Sequence, residues 1–160
     1  MRAARPLSIT VAEILRYPVK GLGAETLGEA ALVPGEGLPN DRRFAIAHQA
    51  SAFDPDNPEW LPKHNFLNLM TDEKLAGLRP IFEQEQGLLA LTVSGERVAE
   101  GRLDKPSGLA PVERFIETFM ADKGNLRIVQ VPGRMLSDRP QALTRKSPNP
   151  GPSAKGTRWS

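Results

Sequence analysis

Residues 88–103 read Leu-Leu-Ala-Leu-Thr-Val-Ser-Gly-Glu-Arg-Val-Ala-Glu-Gly-Arg-Leu. Two runs that suit strands, 88–93 and 97–103, are separated by the turn residues Ser-Gly-Glu at 94–96. A short connection that contains glycine between two such runs is typical of a tight β-hairpin. This stretch therefore predicts two neighbouring antiparallel strands and a β-rich fold.

Further strands are predicted on both sides of this hairpin, at 8–17, 26–33, 42–48, 81–84 and 126–131. The chain has 15 prolines and 14 glycines, and their position between short apolar runs favours many short elements joined by turns. We predict a mainly β protein, a mostly antiparallel β-barrel of about six or seven strands. An α+β fold is the second choice. Within the strand at 42–48, Phe44 and Ile46 are predicted to share one face.

One amphipathic helix is predicted over 110–120. Its apolar residues recur at spacings of three and four, and a proline is tolerated in its first turn; they are Val112, Phe115, Ile116, Phe119 and Met120. A shorter helix is predicted to run to Leu78, capped by Thr71 or Asp72. Residues 51–64 are polar and rich in turn residues, which predicts an excursion from the barrel.

The composition excludes several kinds of chemistry. The 160-residue chain is 39% hydrophobic and 25% charged, as in one soluble globular domain. It has no cysteine, so it cannot form a disulfide, a thiolate nucleophile or a cysteine-ligated metal site. It also lacks an apolar run of about 18 residues and the uncharged core of a signal peptide. We expect a cytoplasmic protein that does not associate with membranes.

The positive net charge is concentrated at one end of the chain. Four basic residues and no acidic residue fall in 141–160, which leaves 17 of the 21 basic residues against all 19 acidic residues in 1–140. A pI near 9.1 that comes from a tail does not indicate a basic folded surface, so we expect no nucleic-acid partner. The segment 144–160 has too few apolar residues to offset the entropy of ordering it, and we predict that the basic tail 141–160 is disordered.

The segment Tyr17-Pro18-Val19-Lys20-Gly21 places a lysine on a turn directly after a predicted strand. The neighbouring glycine lets the backbone approach a ligand closely. The alternative is an ordinary solvated lysine on a turn. Both interpretations remain open on these residues alone.

The segment Asp41-Arg42-Arg43-Phe44 lies at the start of a predicted strand. An arginine offers a planar fork of donors for a phosphate or carboxylate, and Asp41 can hold it by accepting one hydrogen bond. The alternative is an Asp-Arg pair that only stiffens the turn.

Taken together, these two motifs resemble the N-terminal β-barrel region of MOSC (molybdenum cofactor sulfurase C-terminal) proteins. That group includes YcbX-like bacterial proteins and the mitochondrial amidoxime-reducing components. The strand-like Ala30-Ala31-Leu32-Val33 between the motifs, and Trp60-Leu61-Pro62-Lys63 with Phe66-Leu67 after them, extend the resemblance. It covers residues 8–103, with a looser match over 111–138.

The resemblance implies that this region contributes to binding the molybdenum cofactor, molybdopterin. In the family a lysine and an arginine meet the phosphate of the cofactor, which at matching positions are Lys20 and Arg42. Gly21 stands where relatives often have serine, Arg43 is a neighbour that could share the role, and Asp41 completes the cofactor-binding set. The resemblance assigns no catalytic residue and no metal ligand to this chain.

The resemblance also implies a domain division and a function. Residues 1–7 are a flexible N-terminus and residues 8–140 the barrel domain, of which 110–140 resemble the start of the lead-in to the catalytic MOSC domain. We expect a truncated, non-catalytic form of a molybdenum-dependent oxidoreductase that does not catalyse a reaction by itself. The alternative is an interaction module that pairs with a separate catalytic half, or forms a homodimer, and so covers exposed apolar surface.

The two histidines of the chain, His48 and His64, are 16 residues apart. A metal site built on them would need a further ligand such as Asp54 or Asp56. We interpret His48 as the end of a strand and the segment 54–57 as a turn.

Overall fold

The computed structural model describes residues 4–131. The predictions for the tail 141–160 and for the lead-in segment after residue 131 lie outside this range. The described residues form seven strands and one α-helix: β1 (Ile14–Arg16), β2 (Glu25–Leu27), β3 (Phe44–His48), β4 (Arg79–Glu83), β5 (Leu88–Val93), β6 (Glu96–Arg102), α1 (Ala110–Phe119) and β7 (Leu126–Gln130). The prediction of a mainly β protein with about six or seven strands is confirmed.

The strands form three small sheets, in the orders β1-β2, β3-β7 and β4-β5-β6. Every ladder within them is antiparallel. The predicted hairpin is present as β5 and β6, with Val93 paired to Glu96 across a two-residue turn. Both turn residues, Ser94 and Gly95, have positive φ, which matches the right-handed twist of the flanking strands.

Strand β3 has neighbours along both edges. One edge pairs with β7. The other makes a parallel bridge between Phe44 and Val19 and an antiparallel bridge between Ala47 and Phe66. The turn after β1 therefore lies directly against the start of β3.

Both faces of β3 are buried. Phe44 and Ile46 belong to the main hydrophobic core, which confirms that they share one face. Ala45 and Ala47 face a second, smaller cluster. The ring of Phe44 meets the ring of Phe82 on β4 edge to face, with 5.3 Å between centroids, a preferred aromatic geometry.

Helix α1 packs on this core through Val112 and Ile116, with Phe115 and Phe119 partly buried against it. The helix also holds β7 in place through hydrogen bonds. The carboxylates of Glu113 and Glu117 accept backbone N–H bonds from Ile128 and Leu126, at 2.9 and 2.8 Å. Because these donors lie along β7, the helix covers backbone groups that a bare strand edge would expose.

Strands β1 and β2 are much shorter than the predicted strands at 8–17 and 26–33. Residues 8–13 form no strand, and the side chains of Leu7 and Ile9 are 97% and 98% exposed. Alternating apolar residues stabilise a strand only where a partner strand and a buried face are available. The described part of the chain supplies neither for these residues.

The predicted helix ending at Leu78 is a short 3-10 helix, Glu73–Gly77. Asp72 occupies the N-cap position, but its side chain makes no capping hydrogen bond. Its carboxylate instead accepts hydrogen bonds from Thr71 and Lys123, so tertiary contacts replace the expected cap.

The excursion at 51–64 is anchored to the domain by the buried side chain of Phe53. None of the helices between residues 4 and 131 has the length and apolar character needed to cross a membrane.

Candidate anion-binding site

The turn after β1 and the start of β3 are joined by three backbone hydrogen bonds. Arg42 donates to the Tyr17 carbonyl at 2.6 Å, Phe44 to the Pro18 carbonyl at 3.0 Å, and Lys20 to the Phe44 carbonyl at 2.8 Å. The two sequence motifs therefore lie side by side, although about 20 residues separate them in the chain.

Asp41 organises the arginine of this site. One carboxylate oxygen, Oδ1, accepts the Tyr17 backbone N–H at 2.8 Å, and the other, Oδ2, accepts Nη1 of Arg42 at 2.9 Å. The Arg42 guanidinium carbon lies 5.9 Å from the centroid of the Tyr17 ring. Arg42 is held from two sides while its side chain stays about half exposed, which leaves guanidinium donors accessible to a ligand.

Lys20 is half-buried beside this arginine. Its Nζ lies 5.9 Å from the centroid of the Phe66 ring. Burial lowers the pKa of Lys20 below its usual value, and the positive charges of Arg42 and Lys63 lower it further. The structure therefore brings Lys20 and Arg42 close enough to repel each other, and it adds a third cation.

That third cation, Lys63, lies outside the two sequence motifs that indicate the site. It begins the 3-10 helix Lys63–Asn65, and its Nζ lies 2.8 Å from Sδ of Met70. The available signal was its place in the Trp60–Lys63 block of the family resemblance. Nothing in the local sequence indicated that this block packs beside Lys20.

Gly21 adopts φ +89°, a conformation that residues with a Cβ rarely accept. A Cβ at this position would lie 2.8 Å from the carbonyl oxygen of Leu67. The turn thus packs against the backbone of the segment that follows Phe66. This close approach and the positive φ give a physical reason for glycine at position 21.

Arg43 makes its contacts elsewhere. It donates to Oδ1 of Asn40 at 3.0 Å and to Oε1 of Gln130 at 3.3 Å. Its guanidinium also lies 5.6 and 5.3 Å from the ring centroids of Phe44 and Phe82. Arg43 therefore supports packing between β3, β4 and β7.

A cavity of about 810 Å³ adjoins the cations. Its lining includes Lys63, Phe66, Leu67 and His48. Lys63 and Phe66 thus belong both to the surroundings of Lys20 and to the cavity wall. A ligand held by the cations would have this space available for the rest of its structure.

The ion pair between Asp72 and Lys123 forms another part of the cavity wall, with 2.5 Å between Oδ1 and Nζ. Burial acts to raise the pKa of Asp72, but hydrogen bonds from Lys123 and Thr71 outweigh it, so the pKa lies below its usual value. The hydrogen bond to Asp72 in turn raises the pKa of Lys123. The pair therefore stays ionised at neutral pH and fixes the turn after α1 against this wall.

The two histidines meet through a backbone atom. Nε2 of His48 lies 2.6 Å from the carbonyl oxygen of His64, and Nδ1 of His48 is 3.2 Å from the Ala50 backbone nitrogen. A carbonyl can only accept and an N–H can only donate, so both bonds are satisfied by the neutral imidazole with its proton on Nε2. Among residues 4–131, no group of three or more His, Cys, Asp or Glu side chains is placed to hold a metal ion.

The fold and this site define a β-rich domain with a cluster of cations at the junction of two turns. The family model for the MOSC N-terminal beta barrel domain matches residues 8–127, which are 120 of the 160 residues. The chain therefore belongs to the MOSC N-terminal β-barrel domain family, as the sequence motifs indicated. Comparison with curated proteins and with solved structures found no match.

Proposed function

We propose that this domain binds the phosphate of the molybdenum cofactor, molybdopterin, through Lys20 and Arg42. The observation that supports this most directly is the packing of the two motif turns against each other, with Asp41 orienting Arg42. Two cations on adjacent turns are suited to a phosphate because charge-assisted hydrogen bonds are short and strong. The role is binding and orientation of the cofactor.

The residues present fit the anionic end of this cofactor. The positive charges of Arg42 and Lys63 lower the pKa of Lys20, and an anion bound among the three would relieve that repulsion. Because Gly21 has no Cβ, its backbone packs directly against the Leu67 carbonyl. When bound, the cofactor supplies a redox-active metal, which would place the domain in a molybdenum-dependent oxidoreductase or sulfur-handling protein.

Titration of the purified chain with molybdopterin tests this proposal. We expect Lys20→Ala and Arg42→Ala each to weaken binding by roughly tenfold or more, because each removes a charge-assisted hydrogen bond worth about 1.5–3 kcal/mol. Arg114→Ala is the matched control, because Arg114 is an exposed arginine on α1 whose loss changes the net charge equally. Unchanged affinity in all three variants would refute the cofactor assignment.

The exposed apolar N-terminal segment favours a second candidate function, a module that pairs with a separate catalytic MOSC half. Leu7, Ile9 and Val11 occupy alternate positions of the N-terminal segment, and each is at least 80% exposed. Apolar side chains in this arrangement suit the addition of a strand from a partner. Co-elution with a separately expressed catalytic MOSC domain tests it. A complex that survives Ile9→Asp would exclude this segment as the interface.

A further inference from the structure

We infer that residues 5–13 pair with residues 5–13 of a second copy of this chain, as two antiparallel strands related by a two-fold axis at Ile9. This pairing is independent of cofactor binding. It gives the exposed N-terminal segment a different occupant from a separate catalytic half, and experiment can distinguish the two occupants.

The segment 5–13 leads directly into a strand that has a free edge. Strand β1 pairs with β2 along one edge. Within residues 4–131 these two strands form a sheet of their own, so no strand lies along the other edge of β1. Such an edge presents backbone N–H and C=O groups that a strand from another molecule can pair with. A second copy therefore has backbone groups to bind where the segment continues β1.

The apolar residues of the segment are complementary to themselves. In an antiparallel pair centred on Ile9, the two Ile9 side chains lie opposite each other, and Leu7 of each copy lies opposite Val11 of the other. Residues at alternate positions of a strand share a face, so all of these side chains lie on one face of the pair. Each is at least 80% exposed in the single chain. A two-fold interface requires this kind of self-complementarity.

The charged residues at the ends of the segment favour one register. Centring on Ile9 places Arg5 of each copy opposite Glu13 of the other. Both side chains are exposed, and neither has an ion-pair partner within residues 4–131. A shift of two residues would instead place Arg5 opposite Val11, or Leu7 opposite Glu13. Because opposite charges stabilise a cross-strand pair, the register with two Arg5–Glu13 pairs is preferred.

The remaining residues of the segment are compatible with this register. Hydrogen-bonded and non-hydrogen-bonded pairs alternate along an antiparallel ladder. When the two Ile9 residues form a hydrogen-bonded pair, Pro6 and Ala12 form a non-hydrogen-bonded pair, in which the missing N–H of proline is not needed. Ser8 lies opposite Thr10 on the other face, and hydroxyl side chains in such pairs can hydrogen-bond to each other.

Sedimentation equilibrium of the purified chain at increasing concentration tests the pairing. Stable interfaces use roughly 20–30 residues from each partner, whereas residues 5–13 are nine residues, so we expect a dimer that dissociates on dilution. Ile9→Asp should weaken dimerisation by roughly tenfold or more, because it places two carboxylates opposite each other at the axis. The Ile9 side chain is 98% exposed, so this substitution leaves the folded core intact.

A charge exchange tests the register itself. Arg5→Glu and Glu13→Arg each place like charges opposite each other at both ends of the pair, and each variant alone should dimerise more weakly than the unmodified chain. An equimolar mixture of the two variants should recover the dimer, because every end pair then joins an acidic and a basic residue. Arg114→Glu, at an exposed position on α1, makes the same change in net charge as Arg5→Glu and should leave dimerisation unchanged.

Three outcomes would overturn the inference. The chain could remain monomeric at every concentration, or it could form a dimer that Ile9→Asp and both charge variants leave unchanged, which would place the interface elsewhere. A mixture of the charge variants that dimerises no better than either variant alone would refute the register. If the chain is monomeric alone but binds a separate catalytic MOSC domain in a complex that Ile9→Asp abolishes, the segment belongs to that partner and not to a second copy.

Discussion

Glu25→Gln is expected to lower the free energy of unfolding by about 3 kcal/mol or more, because it leaves a buried guanidinium without its counter-charge. The side chains of Arg16 and Glu25 are only 8% and 9% exposed. Nε and Nη2 of Arg16 lie 2.7 and 2.6 Å from Oε1 of Glu25. The substitution keeps the side-chain volume, so its effect reports the charge and the hydrogen bonds.

This ion pair also joins two sheets. Nη2 of Arg16 donates to the Phe82 carbonyl at 3.0 Å, and Oε2 of Glu25 accepts the Phe82 N–H at 3.1 Å. The pair thus satisfies the backbone N–H and C=O groups of Phe82. Phe82 lies on β4, which is at the edge of its sheet and pairs with β5 on its opposite side. Glutamine has one acceptor oxygen in place of two, so it cannot serve both the Phe82 N–H and the Arg16 guanidinium, and the buried cation loses its counter-charge.

Urea unfolding of the purified domain measures this effect. Asp104→Asn is the matched control, because Asp104 pairs with Arg102 at a similar distance of 2.9 Å but both side chains are about half exposed. Exposed pairs contribute little, since water and salt screen them. Equal changes for the two substitutions would contradict the assignment of the Arg16–Glu25 pair as a buried structural contact.

Gly108→Ala is expected to destabilise the fold by about 3 kcal/mol, at the upper end of the usual cost of overpacking. A Cβ at this position would overlap the backbone carbonyl oxygen of Arg102. That backbone cannot move away freely, because the Arg102 N–H donates to the Gly108 carbonyl at 3.1 Å. The close approach ties the end of β6 to the loop that leads into α1.

Gly28→Ala is the control for this substitution. No atom lies within 4 Å of a Cβ at Gly28, and its φ is not in the left-handed region. We expect a change within about 0.5 kcal/mol, as for most surface substitutions. Thermal unfolding of both variants compares the two sites. A Gly108→Ala protein as stable as Gly28→Ala would mean that the loop moves away from β6 without cost.

The sequence determined the elements whose signals are local. The β5–β6 hairpin follows from a two-residue turn between strand-forming runs, and α1 follows from apolar residues spaced by three and four. The face shared by Phe44 and Ile46 follows from the two-residue repeat of a strand. The hydrogen bond from Arg42 to Asp41 could likewise be predicted, because the two residues are adjacent in the chain.

Tertiary structure decided what depends on distant partners. It placed Lys63 beside Lys20, turned Arg43 towards Gln130, and limited β1 to the few residues that find a partner strand. It also formed the cavity next to the cations. The physical reason is that periodicity specifies which face of a segment is buried, whereas the identity of the neighbour on that face depends on how distant segments pack.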